Sequence, residues 1–363
     1  MGCVCVNNMN SNREEITIKD RPKDKIVHKD VPENIKSFLA EKNQELVKLE
    51  LSGGHSIYGE SFIMDARSLS DNSSIIRYMY RQFKPIRDFE WECYISKEMG
   101  EIGIAPKILF EDHKAKFWLQ EFIENSINLR PLKYPPESLK QIGAYLQKYH
   151  SFSPKIKAPD SYQFFGRVKA NALRIIGKFP ILSRFKRTVE GVEQILKIFE
   201  KNSEKCLCHN DFGYGANTLW DKKRAWLIDF EFSGIFYKYF DIGAFISILI
   251  MTEEDRESFL EGYYRGKRSE KEEALIYMGE IYGLYKYSMF AVNLIGEIPK
   301  DVDEKFFDSI LELNQRRTGK AKFEQGESNT VKGNIKIATM MLKQAELNMQ
   351  SEKCKNSMKI LEM

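Results

Sequence analysis

Cysteine is sparse and unpatterned in this chain. The six cysteines in 363 residues, Cys3, Cys5, Cys93, Cys206, Cys208 and Cys354, have neither the spacing of a metal-binding motif nor the density of a disulfide scaffold. They read as thiols of a reducing, cytoplasmic compartment, with Cys206 and Cys208 buried on one strand. An excess of one charge is also missing. The 56 Lys and Arg residues face 52 Asp and Glu, so no basic surface for nucleic acid is expected. Long apolar runs are lacking too: Ile242 to Met251 carries no charge but falls well short of the ~20 residues that cross a bilayer, and reads as a buried helix. No signal peptide is expected. What is present, 42% hydrophobic residues, is enough to bury a full two-lobed core.

The most informative segment is CHNDFGYGANTLW, Cys208 to Trp220, followed by LIDFE, Leu227 to Glu231. Thr218 to Trp220 and Ala225 to Ile228 read as two short strands, with the charged tetrad Asp221 to Arg224 as their turn. Such a hairpin brings Asn217 and Asp229 together at its open end. Oxygen ligands without histidine or thiolate suit magnesium, a hard cation. Phosphoryl transfer needs a carboxylate to orient and deprotonate the attacking hydroxyl, with an amide and a second carboxylate to hold the metal against the phosphates. Asp211, Asn217 and Asp229 are of these types and in this order.

These segments, together with Ser233-Gly234 and Phe240-Asp241-Ile242-Gly243, resemble the choline and ethanolamine kinases with the aminoglycoside phosphotransferases, over roughly residues 45 to 320. The resemblance implies an α+β, bilobal protein-kinase-like fold with an antiparallel-sheet N-lobe and a mainly helical C-lobe. It also implies ATP and Mg2+ as cofactors, Asp211 as catalytic base, and Asn217 and Asp229 as metal ligands. In the family the asparagine stands one residue earlier, where this chain has Ala216.

Upstream, strands at Val47 to Leu51 and Tyr58 to Met64 flank Gly53 and Gly54, whose bare backbone would let amides approach phosphate. The strand Ile75 to Pro85 carries Arg81, which the resemblance makes the phosphate-contacting cation. Its glutamate partner is expected on the helix Asp88 to Met99, Glu92 in preference to Glu90. Strands Ile108 to Glu111 and Phe117 to Ile123 follow, and the resemblance places Glu121 and Ile123 along the adenine.

The remainder reads as helical. Leu139, Ile142, Leu146 and Tyr149 recur at three- and four-residue spacing, and His150 closes that helix with no chemistry assigned. Further helices are expected at Arg256 to Arg265 and Ala274 to Leu294. Tyr282, Tyr285, Tyr287 and Phe290 lie where the relatives place rings that face a quaternary ammonium group. Asp241, Tyr282, Tyr285 and Phe290 are therefore the expected acceptor-binding set. Ile248 stands where the relatives carry an acid, a departure that bears on choline itself.

The chain opens Met1-Gly2-Cys3-Val4-Cys5, similar to dually acylated proteins, although Val6 replaces the usual Ser or Thr. Acylation of Gly2 with Cys3 or Cys5 would place the protein peripherally on a membrane. The expected domains are a flexible leader at 1–30, a nucleotide-covering N-lobe at 31–124, a catalytic and acceptor-binding C-lobe at 125–320, and a helical extension at 321–363. In that extension Ile337, Met340, Met341 and Leu347 would line one face, for packing or for a partner. The expected function is ATP- and magnesium-dependent phosphorylation of a hydroxyl on a small molecule, first an amino alcohol. The alternatives are an aminoglycoside or other small acceptor, or a pseudokinase that binds without turnover.

Overall fold

The computed structural model describes residues 33–362 apart from 52–58, 71–74, 84–87, 213–216, 319 and 321–329. Gly2, Cys3, Cys5, Gly53 and Gly54 lie outside the described residues. The chain divides into two compact units between Ser126 and Ile127.

The first unit contains α1 (Glu33–Glu41), β1 (Gln44–Leu51), β2 (Gly59–Ser68), β3 (Ile75–Phe83), α2 (Phe89–Glu101), β4 (Ile108–Asp112) and β5 (Phe117–Glu121). The strands form one antiparallel sheet in the order β1-β2-β3-β5-β4. Period-two alternation sends Phe62, Met64 and Ala66 of β2, and Tyr78 and Tyr80 of β3, into a core closed by Ile35, Phe38 and Leu39 of α1. Helix α2 starts at Asp88, whose carboxylate caps the Trp91 amide.

The second unit carries three helices in its first part: α3 (Pro136–His150), α4 (Ser161–Lys178) and α5 (Lys186–Asn202). Strand β6 (Ile127–Asn128) precedes them. Strands β7 (Lys205–Cys208), β8 (Thr218–Trp220), β9 (Ala225–Leu227) and β10 (Gly234–Tyr237) come next. Helices α6 (Lys238–Leu249), α7 (Glu253–Tyr264), α8 (Glu270–Val292), α9 (Glu304–Ser309), α10 (Val331–Gln350) and α11 (Glu352–Glu362) complete it. Strands β6, β8 and β9 pair antiparallel, as do β7 and β10.

Helix α8 is buried almost along its whole length and begins at a capping box between Ser269 and Glu272. It lies unusually close to α6, because glycines occupy the crossing. A Cβ on Gly243 would come within 2.1 Å of the Glu280 amide, and one on Gly279 within 1.9 Å of the Tyr239 carbonyl oxygen. Arg256 of α7, also buried, pairs with Glu280 and Glu273 of α8 at 3.0 and 2.8 Å. In the C-terminal extension Ile337, Met340 and Met341 are buried as expected, whereas Leu347 is exposed. The inward face of α10 turns on Ile337, Met341 and Ala345, so Leu347 points to solvent. No described helix is long and apolar enough to cross a membrane.

Candidate active site

Strand β7 delivers the chain into His209-Asn210-Asp211, and nearly every polar group of that turn is held. Asp241, at the first turn of α6, accepts the His209 amide at 2.7 Å on one carboxylate oxygen and the Asn210 amide at 2.9 Å on the other. His150 closes the same carboxylate from α3, its Nε2 at 3.1 Å, while its Nδ1 meets the Tyr263 hydroxyl at 2.8 Å. Asn210 adopts φ 63°, a left-handed conformation that asparagine tolerates better than most residues. Its side-chain amide donates to Ser161 Oγ at 2.8 Å and to the Phe232 carbonyl at 3.0 Å. This over-determined turn fixes the next residue, Asp211.

Asp211 is 3% exposed. Asn217 Nδ2 donates to its carboxylate and to its carbonyl, both at 3.0 Å, and the Tyr287 hydroxyl donates to the other carboxylate oxygen at 3.2 Å. The extra residue between Asp211 and the asparagine therefore does not separate the two side chains. Residues 213–216 lie outside the described residues. The Ile228 amide donates to the Asn217 carbonyl at 3.0 Å, which ties the open end of the β8–β9 hairpin next to Asp229. Asp229 is itself left-handed, φ 66° and ψ 61°, strain of the kind that functional turns store. With Nδ2 of Asn217 committed to Asp211, the amide's Oδ1 and the Asp229 carboxylate are oxygen donors of the sort a hard cation takes.

In the first unit, Arg81 on β3 lies 3.2 Å from Glu92 on α2, and the Glu92 side chain is buried. Glu90 instead is exposed and meets His113 at 2.7 Å. Glu121 ends β5, its amide donating to the Lys107 carbonyl and its carboxylate accepting the Lys107 amide. The Ile123 carbonyl accepts the Ser126 hydroxyl at 2.9 Å.

The acceptor-binding set is where the structure departs from expectation. Asp241 has no exposed surface, and its carboxylate is spent on two backbone amides and His150; it is a positioning residue for the loop. Tyr282 is fully buried among Phe199, Phe236 and Phe240. Tyr285 packs where Gly191 of α5 leaves room for its ring. Both face other helices because the stripe on α8 is one side of a helix buried all round. Only Phe290 of that set is partly exposed.

Two neighbours of these residues lay outside the expected acceptor-binding set, and one of them, Tyr287, is among the rings already expected on this helix. Tyr287 reaches Asp211, and Lys286, with no exposed surface, donates to the Asn210 carbonyl. Burial pushes the Lys286 ammonium down to about 7, with Asp211 opposing the shift. The available signal was a single lysine in the otherwise uncharged stretch Ile281 to Val292.

The choline/ethanolamine kinase family model matches residues 51–278, well over half of the chain. The chain belongs to the choline/ethanolamine kinase family. That is a family of small-molecule phosphotransferases, and the antiparallel first unit and helical second unit are its protein-kinase-like α+β fold. No curated protein sequence matches. Among solved structures, this family member is similar to a choline/ethanolamine kinase family protein from Mesorhizobium loti, at 14% identity and TM-score 0.58 over 87% of this chain and 92% of that one. It is also similar to the choline kinase LicA from Streptococcus pneumoniae, at 18% identity and TM-score 0.54 over 72% and 90%. The gentamicin complex of APH(2")-IIa matches at 13% identity and TM-score 0.50 over 90% and 98%.

Proposed function

We propose that this protein transfers the γ-phosphoryl group of ATP to a hydroxyl of a small polar molecule, with Mg2+ as the required ion. The observation that carries the reading is the Asp211 cluster: a buried carboxylate held by Asn217 and Tyr287 on a turn that Asp241 fixes through two amides. Asp211 orients the acceptor hydroxyl and takes its proton as the oxygen–phosphorus bond forms and the bond to ADP breaks. Asn217 and Asp229 would hold magnesium, which supplies positive charge against the phosphate oxygens. Arg81, kept in place by Glu92, would contact the nucleotide phosphates. The backbone around Glu121 and Ile123 meets the base. LicA has been solved in complex with AMP, which supports a nucleotide in this role.

Family membership puts amino alcohols, choline and ethanolamine, first among acceptors to be tried, and aminoglycosides second. The test is ATP consumption with magnesium over a panel of choline, ethanolamine, an aminoglycoside and uncharged sugars and polyols. Asp211→Asn is the control variant. Asp211→Asn is expected to lower turnover by ~100-fold or more, the scale of losing a general base, with nucleotide binding kept. Turnover retained in that variant would remove Asp211 from the mechanism. An inert wild type that still binds nucleotide would favour a pseudokinase.

A further inference from the structure

Four rings from three helices close around one ammonium, and that ammonium belongs to the chain. Lys286 Nζ lies 3.8 Å from the ring centroid of Phe240 on α6, 4.5 Å from Phe165 on α4, and 4.9 and 5.3 Å from Phe290 and Tyr287 on α8. Its hydrogen bond goes to the carbonyl of Asn210, the residue before Asp211. Tyr287, one wall of the cage, donates to the Asp211 carboxylate. The cage and the reacting end of the acceptor site are therefore the same neighbourhood. Ring faces attract a desolvated cation, and here that capacity is already used. A second cation brought alongside would meet like charge with little water to screen it.

We propose that Lys286 is the specificity-determining residue of the acceptor site: its ammonium takes the place a substrate ammonium would need, so the acceptor is an uncharged polyol. This rests on the phosphotransferase reading and narrows its acceptor. The same lysine also braces the loop through Asn210, which explains why so costly a group is buried there.

The experiment compares wild type, Lys286→Ala and Lys286→Met at pH ~6.5, where Lys286 is mostly protonated in the folded chain. Tetramethylammonium is the probe of the cage, and its binding is read by thermal shift without any turnover. Wild type is expected to show no stabilisation by tetramethylammonium, and Lys286→Ala a saturable one, because truncation empties the cage. In the ATP assay, wild type should prefer an uncharged polyol or sugar to choline. The ratio of kcat/KM for choline to that for the uncharged acceptor should rise about ten-fold in Lys286→Ala, the scale of one desolvated cation–π contact. Lys286→Met keeps the packing volume and removes the charge together with the hydrogen bond to the Asn210 carbonyl. If the alanine variant does not fold, the methionine variant should still shift that ratio toward choline. Wild type phosphorylating choline, with tetramethylammonium competing, would overturn the proposal. So would a Lys286→Ala chain that folds yet gains no tetramethylammonium binding. Absence of ATP consumption with every acceptor would instead sink the phosphotransferase reading, and the thermal-shift arm would still decide whether Lys286 fills the cage.

Discussion

At the scale of single residues, the unusual choice is a lysine where a buried methionine would fit. With the Lys286 proton bound less tightly than in an ordinary lysine, near 7 against ~10.4 in an unfolded chain, the sign of the pH dependence follows. Between those values the unfolded chain holds a proton that the folded one has lost, so stability contributed by this group rises with pH across that window. Below about 7 both states are protonated and the full burial penalty applies. The ring faces and the Asn210 carbonyl favour the charged form and narrow the window, as does Asp211. Urea unfolding of wild type and Lys286→Met at pH 6.5 to 9.5 should show the variant gaining most at the low end, by on the order of a few kcal/mol, and converging with wild type as pH rises. Parallel pH profiles would mean that this lysine does not titrate in that range. Cys206, whose thiol is drawn down to about 7 by its 3.7 Å contact with Cys208, is common to both chains and cancels.

At the scale of elements, the sequence was most readable where local chemistry decides the outcome. The alternation in β3, the start of α2 near Asp88, the turn between β8 and β9, and the chain order of Asp211, Asn217 and Asp229 are all local, and each element forms within a few residues of its expected position. The Arg81–Glu92 contact, 3.2 Å in the structure, was expected from the family resemblance for Arg81 and from helical spacing for the choice of Glu92. The acceptor set was illegible for the opposite reason. Whether a tyrosine on α8 faces ligand or core depends on which helices surround it, and α8 is covered on every side, so its 3.6-residue period carries no direction. Phe165, a wall of the lysine cage, sits on α4, which no motif announced. The α6–α8 crossing that positions all this depends on glycine. Gly279→Ala would place a methyl against the Tyr239 carbonyl and force the helices apart, with a loss of about 1–3 kcal/mol or more by overpacking. Because Lys286 and Tyr287 follow two turns later on α8, turnover should fall as well. Gly166→Ala on α4, where an added Cβ meets nothing within 4 Å, should be neutral or slightly stabilising through helix propensity. Equal effects of the two substitutions on melting temperature would mean that the crossing tolerates separation.

At the scale of the whole molecule, the question is what α10 and α11 do, since the family match ends at residue 278 and these helices lie beyond it. Each packs on α8. The Ser288 hydroxyl of α8 donates to the Ala338 carbonyl of α10 at 2.8 Å, a fully buried contact. The Tyr277 hydroxyl of α8 meets Ser351 at 2.9 Å, just ahead of α11. Ile335, Ile337, Ala338, Met340, Met341 and Leu342 of α10 are all buried, and Lys343 donates to the carbonyls of Phe307 in α9 and Ile310 just beyond it. The extension therefore acts as a wall of the core, and a partner is not needed to account for its apolar face. Each large side chain exposed by its removal costs about 1.5–3 kcal/mol, so losing five of them rivals the ~5–15 kcal/mol that holds a typical domain together. A chain ending at residue 328 is thus expected to be insoluble or to melt far below the full-length protein, with loss of turnover, because α8 carries Lys286 and Tyr287 to the catalytic turn. Differential scanning calorimetry and the ATP assay on the truncated and full-length chains make the comparison. A truncated chain that stays soluble, melts within a few degrees of the parent and keeps its turnover would show that α8 is held by α4, α5, α6 and α7 alone, and would return the C-terminal helices to the role of a separable appendage.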